Sequence, residues 1–136
     1  MARLSAYLSH SIRGAKGDDA TADEMDANNR RALYFAKYLR RCTPHIDLYV
    51  PAEHDEFVSE AMTAGDISIK RILKTDCKLL CKRTFLFVYV PDGVVSGGMQ
   101  IEITEAQKHS IPVFFLFDLS KKTVLALKQF VANHTR

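Results

Sequence analysis

A doubly wound α/β domain, with a parallel sheet of four to five strands and helices on both faces, is the fold class that this sequence predicts. Three observations carry the prediction. Four short runs are dense in aromatic and β-branched residues. Helical patterns separate these runs in regular alternation. The runs are continuously apolar, the pattern of strands buried on both faces of a parallel sheet. The 136 residues fit one domain, 1–136.

The first strand is expected over residues 4–8, where apolar residues give way to Ser9 and His10. A helix follows over about 23–41, with Ala32, Phe35, Ala36 and Leu39 on one face. The second strand is expected over 46–50, and the next helix over about 66–83, with Ile69, Ile72, Leu73, Leu79 and Leu80. A third strand over 84–90 leads through a Gly-rich loop to a helix over about 98–109. The fourth strand, 111–117, and a helix over 121–133 close the chain. Right-handed crossovers between parallel strands then produce the flavodoxin-like or Rossmann-like class.

Composition narrows the function classes. A net charge of +3, spread along the chain, argues against a nucleic-acid polymer as partner, and Arg30-Arg31 and Arg40-Arg41 read as a solvated helix face. The longest apolar run is far short of the roughly 20 residues that cross a bilayer, and the N-terminus does not resemble a targeting segment. Cys42, Cys77 and Cys81 read as reduced thiols of a cytoplasmic protein. Cys77 and Cys81 stand one helical turn apart, but no neighbouring His or Cys completes a ligand set, so neither metal nor cofactor is expected.

Ligands of such sheets sit beyond the carboxyl ends of the strands where strand order reverses, which directs attention to the loops after strands one and three. The first, Ser9-His10-Ser11-Ile12-Arg13-Gly14, offers hydroxyls, close backbone approach and a guanidinium fork suited to phosphate. The second ends in Ser96-Gly97-Gly98 at a helix start, where Ser96 could simply cap the helix or help free N–H groups hold an anion. Glu102 falls in the first turn or just beyond it, and the helix dipole is expected to keep it ionised. Asp76 is less ordinary. It lies four residues after Ile72 and four before Leu80, inside the apolar stripe of its own helix. A carboxyl there needs a partner, such as an Arg, or a chemical role. One ionised carboxylate and one carboxyl of raised pKa are what retaining glycosidic cleavage uses.

These segments together resemble the nucleoside 2-deoxyribosyltransferase superfamily, and most of all its 2'-deoxynucleoside 5'-phosphate N-hydrolase branch. Tyr7-Leu8-Ser9-His10-Ser11-Ile12-Arg13-Gly14 is similar to that branch's Tyr-x-x-Gly-Ser-Ile-Arg-Gly, with His10 in place of a glycine. Glu53-His54 resembles its Glu-His pair, Asp76 stands where it has a catalytic Asp, and 96–102 fits Ser-x-Gly-x-x-x-Glu. The resemblance implies an N-glycosidase in which Glu102 is the nucleophile, Asp76 the acid/base and Tyr7 a neighbour of both sugar and nucleophile. It places Ser9, His10, Ser11, Ile12, Arg13, Gly14, Glu53, His54, Ser96 and Gly98 around the substrate. Ser96 implies a 5'-monophosphate, because transferases acting on unphosphorylated nucleosides usually carry an acid there. It also implies a homodimer or larger assembly. A deoxyribosyltransferase and a non-catalytic nucleotide sensor are the alternative functions.

Overall fold

The apolar runs, too short for helices, pair into one sheet. The computed structural model describes residues 3–135. Its strands are β1 (Ser5–His10), β2 (Asp47–Tyr49), β3 (Phe85–Tyr89) and β4 (Val113–Leu116), all parallel, in the order β2-β1-β3-β4. Among the described residues five α-helices accompany them: α1 (Ala22–Cys42), α2 (Asp55–Thr63), α3 (Ile69–Leu80), α4 (Gly97–Lys108) and α5 (Lys121–Asn133). Short 3₁₀ turns, Gly14–Asp19 and Pro51–His54, precede α1 and α2.

Alternation along the strands divides the core into two layers. Ala6 and Leu8 of β1, with Phe85, Phe87 and Tyr89 of β3, pack against Phe35, Ala36 and Leu39 of α1 and Leu127 and Val131 of α5. Tyr7, Leu86 and Val88 face the other way, against Leu80 of α3 and Met99, Ile103 and Ala106 of α4. The central strand β3 buries all five of its side chains, as its unbroken apolar run requires. Burying one such Phe or Leu contributes about 1.5–3 kcal/mol.

Capping sets the helix starts. At α1, Thr21 Oγ1 accepts from Glu24 N at 3.1 Å while Glu24 accepts from Thr21 N at 3.1 Å, a reciprocal capping box. Ser68, Ser96 and Ser120 cap α3, α4 and α5 through their hydroxyls. The expected helix over 66–83 is shorter at both ends, because Asp66 still bonds back to Ala61 and Ser68 is the cap. Helix α2, which was not expected, buries none of its residues, although Phe57, Val58, Ala61 and Met62 recur at helical spacing. The first strand runs two residues past its expected end, because Ser9 and His10 pair with Val88 and Tyr89.

From β1 the chain passes to β2 on one side and then to β3 on the other. Strand order therefore reverses between β1 and β3, and the crevice at their carboxyl ends is the topological switch point. No helix among the described residues is long and apolar enough to cross a membrane.

Candidate active site

Four polar side chains meet under this crevice on the α3/α4 face. Ser9 is fully buried, and its Oγ donates to Glu102 Oε1 at 2.7 Å. Glu102 is 7% exposed, on the face of α4 that also buries Met99, Ile103 and Ala106. Tyr7, two residues before Ser9 on the same face of β1, is fully buried. No hydrogen bond of ordinary geometry reaches its hydroxyl, although Glu102 and Asp76 are both near enough to act on its proton. Asp76, half-buried on α3, completes the group.

Burial decides the charge states here. Desolvation pushes Glu102 up to about 7, against the nearby Tyr7 hydroxyl and the Ser9 hydrogen bond, which favour its ionised form, and the charge of Asp76 pushes it further. Asp76 is pushed up to about 6, again by burial, with His54 and Tyr7 drawing it back. Burial, then the two carboxylates, raise Tyr7 far above its ordinary value and keep it a neutral hydroxyl. The expectation that the helix dipole holds Glu102 ionised is therefore corrected. With Ser96 as cap and Gly97 first in α4, Glu102 lies in the second turn, where the dipole has faded and burial dominates. Both carboxyls are thus raised toward neutrality, Glu102 the further of the two, with the charge of Asp76 contributing to it.

An aromatic stack supports the group from the β2 side. Tyr7 stacks on Tyr49 at 5.4 Å, Tyr49 on His54 at 5.2 Å, and the Arg83 guanidinium sits 5.0 Å over the Tyr49 ring. His54 is also near enough for its charge to act on Asp76. Glu53 does not join it. Both of its oxygens are taken by the Arg40 fork at 2.6 Å, and the same guanidinium donates to Leu48 O at 2.9 Å. The pair anchors the Pro51–His54 turn to α1.

The residues of the loop after β1 lie at the rim of the crevice. Ser11 Oγ accepts from Gly14 N at 2.7 Å, and Gly14 adopts φ +67°, where a Cβ would be strained and would also meet Asn28 Nδ2 at 3.0 Å. Ile12 is exposed, and Asn28 Nδ2 donates to its carbonyl at 2.9 Å. The Arg13 guanidinium is held by Asp18. Across the crevice, Ser96 Oγ accepts from Met99 N at 3.3 Å, which leaves its hydroxyl hydrogen free for an anion. Gly97 and Gly98 open α4, where no helical carbonyl precedes their N–H groups.

His10 follows the alternation of β1 to the opposite face. There a shallow cleft is lined by His10, Ser11, Gly14, Asn28, Arg31 and Tyr89, among others. Burial brings His10 down to about 4, so the ring is neutral, and neither ring nitrogen has a partner. Arg31, exposed as expected of a solvated helix face, also borders this cleft. Tyr49, which stacks on Tyr7, was not singled out in the sequence, because only the pairing of β2 with β1 brings it there. Cys81, but not Cys77, meets Glu105 of α4 and His109 just past its end.

Comparison with solved structures finds a conserved protein from Enterococcus faecalis V583, with a TM-score of 0.58 at 19% identity. The match covers 98% of this chain and 77% of that one, and likeness at this identity speaks for the fold alone. No protein-family model and no curated protein matches the chain.

Proposed function

We propose that this protein hydrolyses the N-glycosidic bond of nucleoside 5'-monophosphates, as a member of the nucleoside 2-deoxyribosyltransferase superfamily. The observation that carries the reading is the pairing of Glu102, bonded by Ser9, with Asp76 under the switch point, both carboxyls titrating near neutrality. Glu102 and the start of α4 are also correctly spaced. Four residues of helix separate Gly98 from Glu102, a rise of about 6 Å. That is about the span of a phosphopentose from its phosphate to its anomeric carbon, so one helix can hold both ends.

In the proposed reaction the reactive form is the minority one, with Glu102 ionised and Asp76 protonated, and Glu102 attacks the anomeric carbon to form a glycosyl ester. The bond to the base nitrogen breaks, its electron pair leaves with the base, and Asp76 supplies the proton. Water then attacks the same carbon and gives a proton to the Asp76 carboxylate. The ester bond breaks, which restores the Glu102 carboxylate and releases pentose 5-phosphate. Ser9 holds the nucleophile in position, and Tyr7 and Tyr49 wall the sugar side. Ser11, Arg13, Ser96 and the first N–H groups of α4 receive the phosphate, which competes with Asp18 for Arg13.

Incubation with a panel of ribo- and deoxyribonucleoside 5'-monophosphates, with chromatography of free base, tests the reading. Base and pentose 5-phosphate in equal amounts support it. No release from any member despite measurable binding favours a nucleotide sensor. Transfer of the sugar to an added second base makes the enzyme a transferase.

A further inference from the structure

The ends of α3 and α4 bring three unlike donors together, away from the carboxyl pair. Cys81 follows the last residue of α3, and Glu105 and His109 stand one turn apart at the end of α4. Glu105 Oε1 lies 3.0 Å from His109 Nε2 and 4.0 Å from Cys81 Sγ, and the three ligand atoms all lie within 4.8 Å of one another. A tetrahedral zinc ion with bonds of 2.0–2.3 Å holds its donors about 3.3–3.6 Å apart. The observed spacings bracket that value, so shifts of side-chain torsions alone close the set. Cys81 and His109 are exposed, which leaves the cluster open to an ion from solution.

We propose that Cys81, Glu105 and His109 form a binding site for a borderline-soft divalent cation, zinc above all, with water in the fourth position. The donor set makes the choice of metal. A thiolate and an imidazole exclude magnesium and calcium, which take oxygen ligands, and a single carboxylate fits zinc as the third ligand. The place in the fold adds a second argument. Both helices end here, and the partial negative charge of helix C-termini favours a cation. On binding, the thiol gives up its proton and the Glu105–His109 hydrogen bond is exchanged for two metal bonds. The ion then ties α3 to α4 at their far ends. Asp76 lies five residues before Cys81, and Glu102 three before Glu105, so the clamp braces the helices that carry both carboxyls.

The test is titration of tag-free, reduced protein with zinc chloride by calorimetry, and with cobalt chloride by absorption. One equivalent of zinc and a thiolate-to-cobalt charge-transfer band are expected. Cys81→Ser, Glu105→Gln and His109→Ala should each weaken binding by more than the 10–100-fold typical of lost outer-shell partners. All three positions are at least partly exposed, and circular dichroism checks that each variant folds. The double variant Cys42→Ser/Cys77→Ser leaves Cys81 as the single thiol and should keep both signals. Absence of stoichiometric binding by the wild-type chain overturns the proposal, as does binding that survives Cys81→Ser or is lost in the double variant.

Discussion

Replacing Glu102 by Gln should make the protein more stable at alkaline pH, and the size of the effect follows from burial. Glu102 moves from an ordinary 4.5 to about 7 in the fold. A carboxyl that resists ionisation in the fold lets the folded chain keep a proton that the open chain loses. Its favourable contribution is therefore complete below about 4.5 and disappears as the pH rises through about 7. At about 1.4 kcal/mol per pH unit, the wild type forfeits about 3 kcal/mol by pH 8. Gln cannot ionise, and its amide oxygen still accepts from Ser9. Its added N–H group, left without an acceptor, costs about 1–3 kcal/mol, but equally at every pH. The difference between variant and wild type should thus swing by about 3 kcal/mol in favour of the variant between about pH 4 and pH 8. Urea unfolding of both proteins at the two pH values measures it. A stability difference independent of pH would refute the claim that Glu102 is a buried carboxyl with raised pKa.

Ser9→Ala removes a charge-assisted bond of about 1.5–3 kcal/mol from the ionised form of Glu102. The upper of the two apparent pKa values in the pH–rate profile should rise from about 7 by one to two units, and the peak rate should fall roughly ten- to a hundredfold; an unmoved profile removes Ser9 from the machinery. Arg13→Ala and Ser96→Asp should weaken monophosphates far more than the matching nucleosides, by about 1.5–3 kcal/mol each, in paired binding assays. Equal losses for both ligand types would place the phosphate elsewhere. The working unit is expected to be a homodimer or larger: Ile69 is 54% and Phe57 79% exposed, and α5 packs on the other face of the sheet. Sedimentation at micromolar concentration checks this, and a fully active monomer contradicts it.

What could be read from the sequence is what a single element reports about itself. The four strands announce themselves as apolar runs, and Ala32, Phe35, Ala36 and Leu39 of α1 are buried together as their spacing requires. Asp76 stood out because a carboxyl inside an apolar stripe is costly, and its raised pKa follows from that placement. What escaped depends on a second element. Ser9 and His10 look like loop residues until β3 pairs with them. Glu53 looks available until Arg40, thirteen residues away, takes both its oxygens. Cys81 has no metal partners along its own helix and finds Glu105 and His109 on the next. The charge of Glu102 was misjudged because position in a helix can be read from sequence, whereas desolvation by tertiary packing cannot.

The covalent role of Glu102 is the centre of the account. Wild-type protein mixed with a cleaved nucleoside 5'-monophosphate, quenched in acid during turnover and digested, should yield one peptide heavier by a pentose phosphate at Glu102. Glu102→Gln should carry no adduct and turn over more than about a thousandfold more slowly, a barrier higher by about 4 kcal/mol. Base release without an adduct, in a Glu102→Gln variant that keeps a tenth of the wild-type rate, would contradict it.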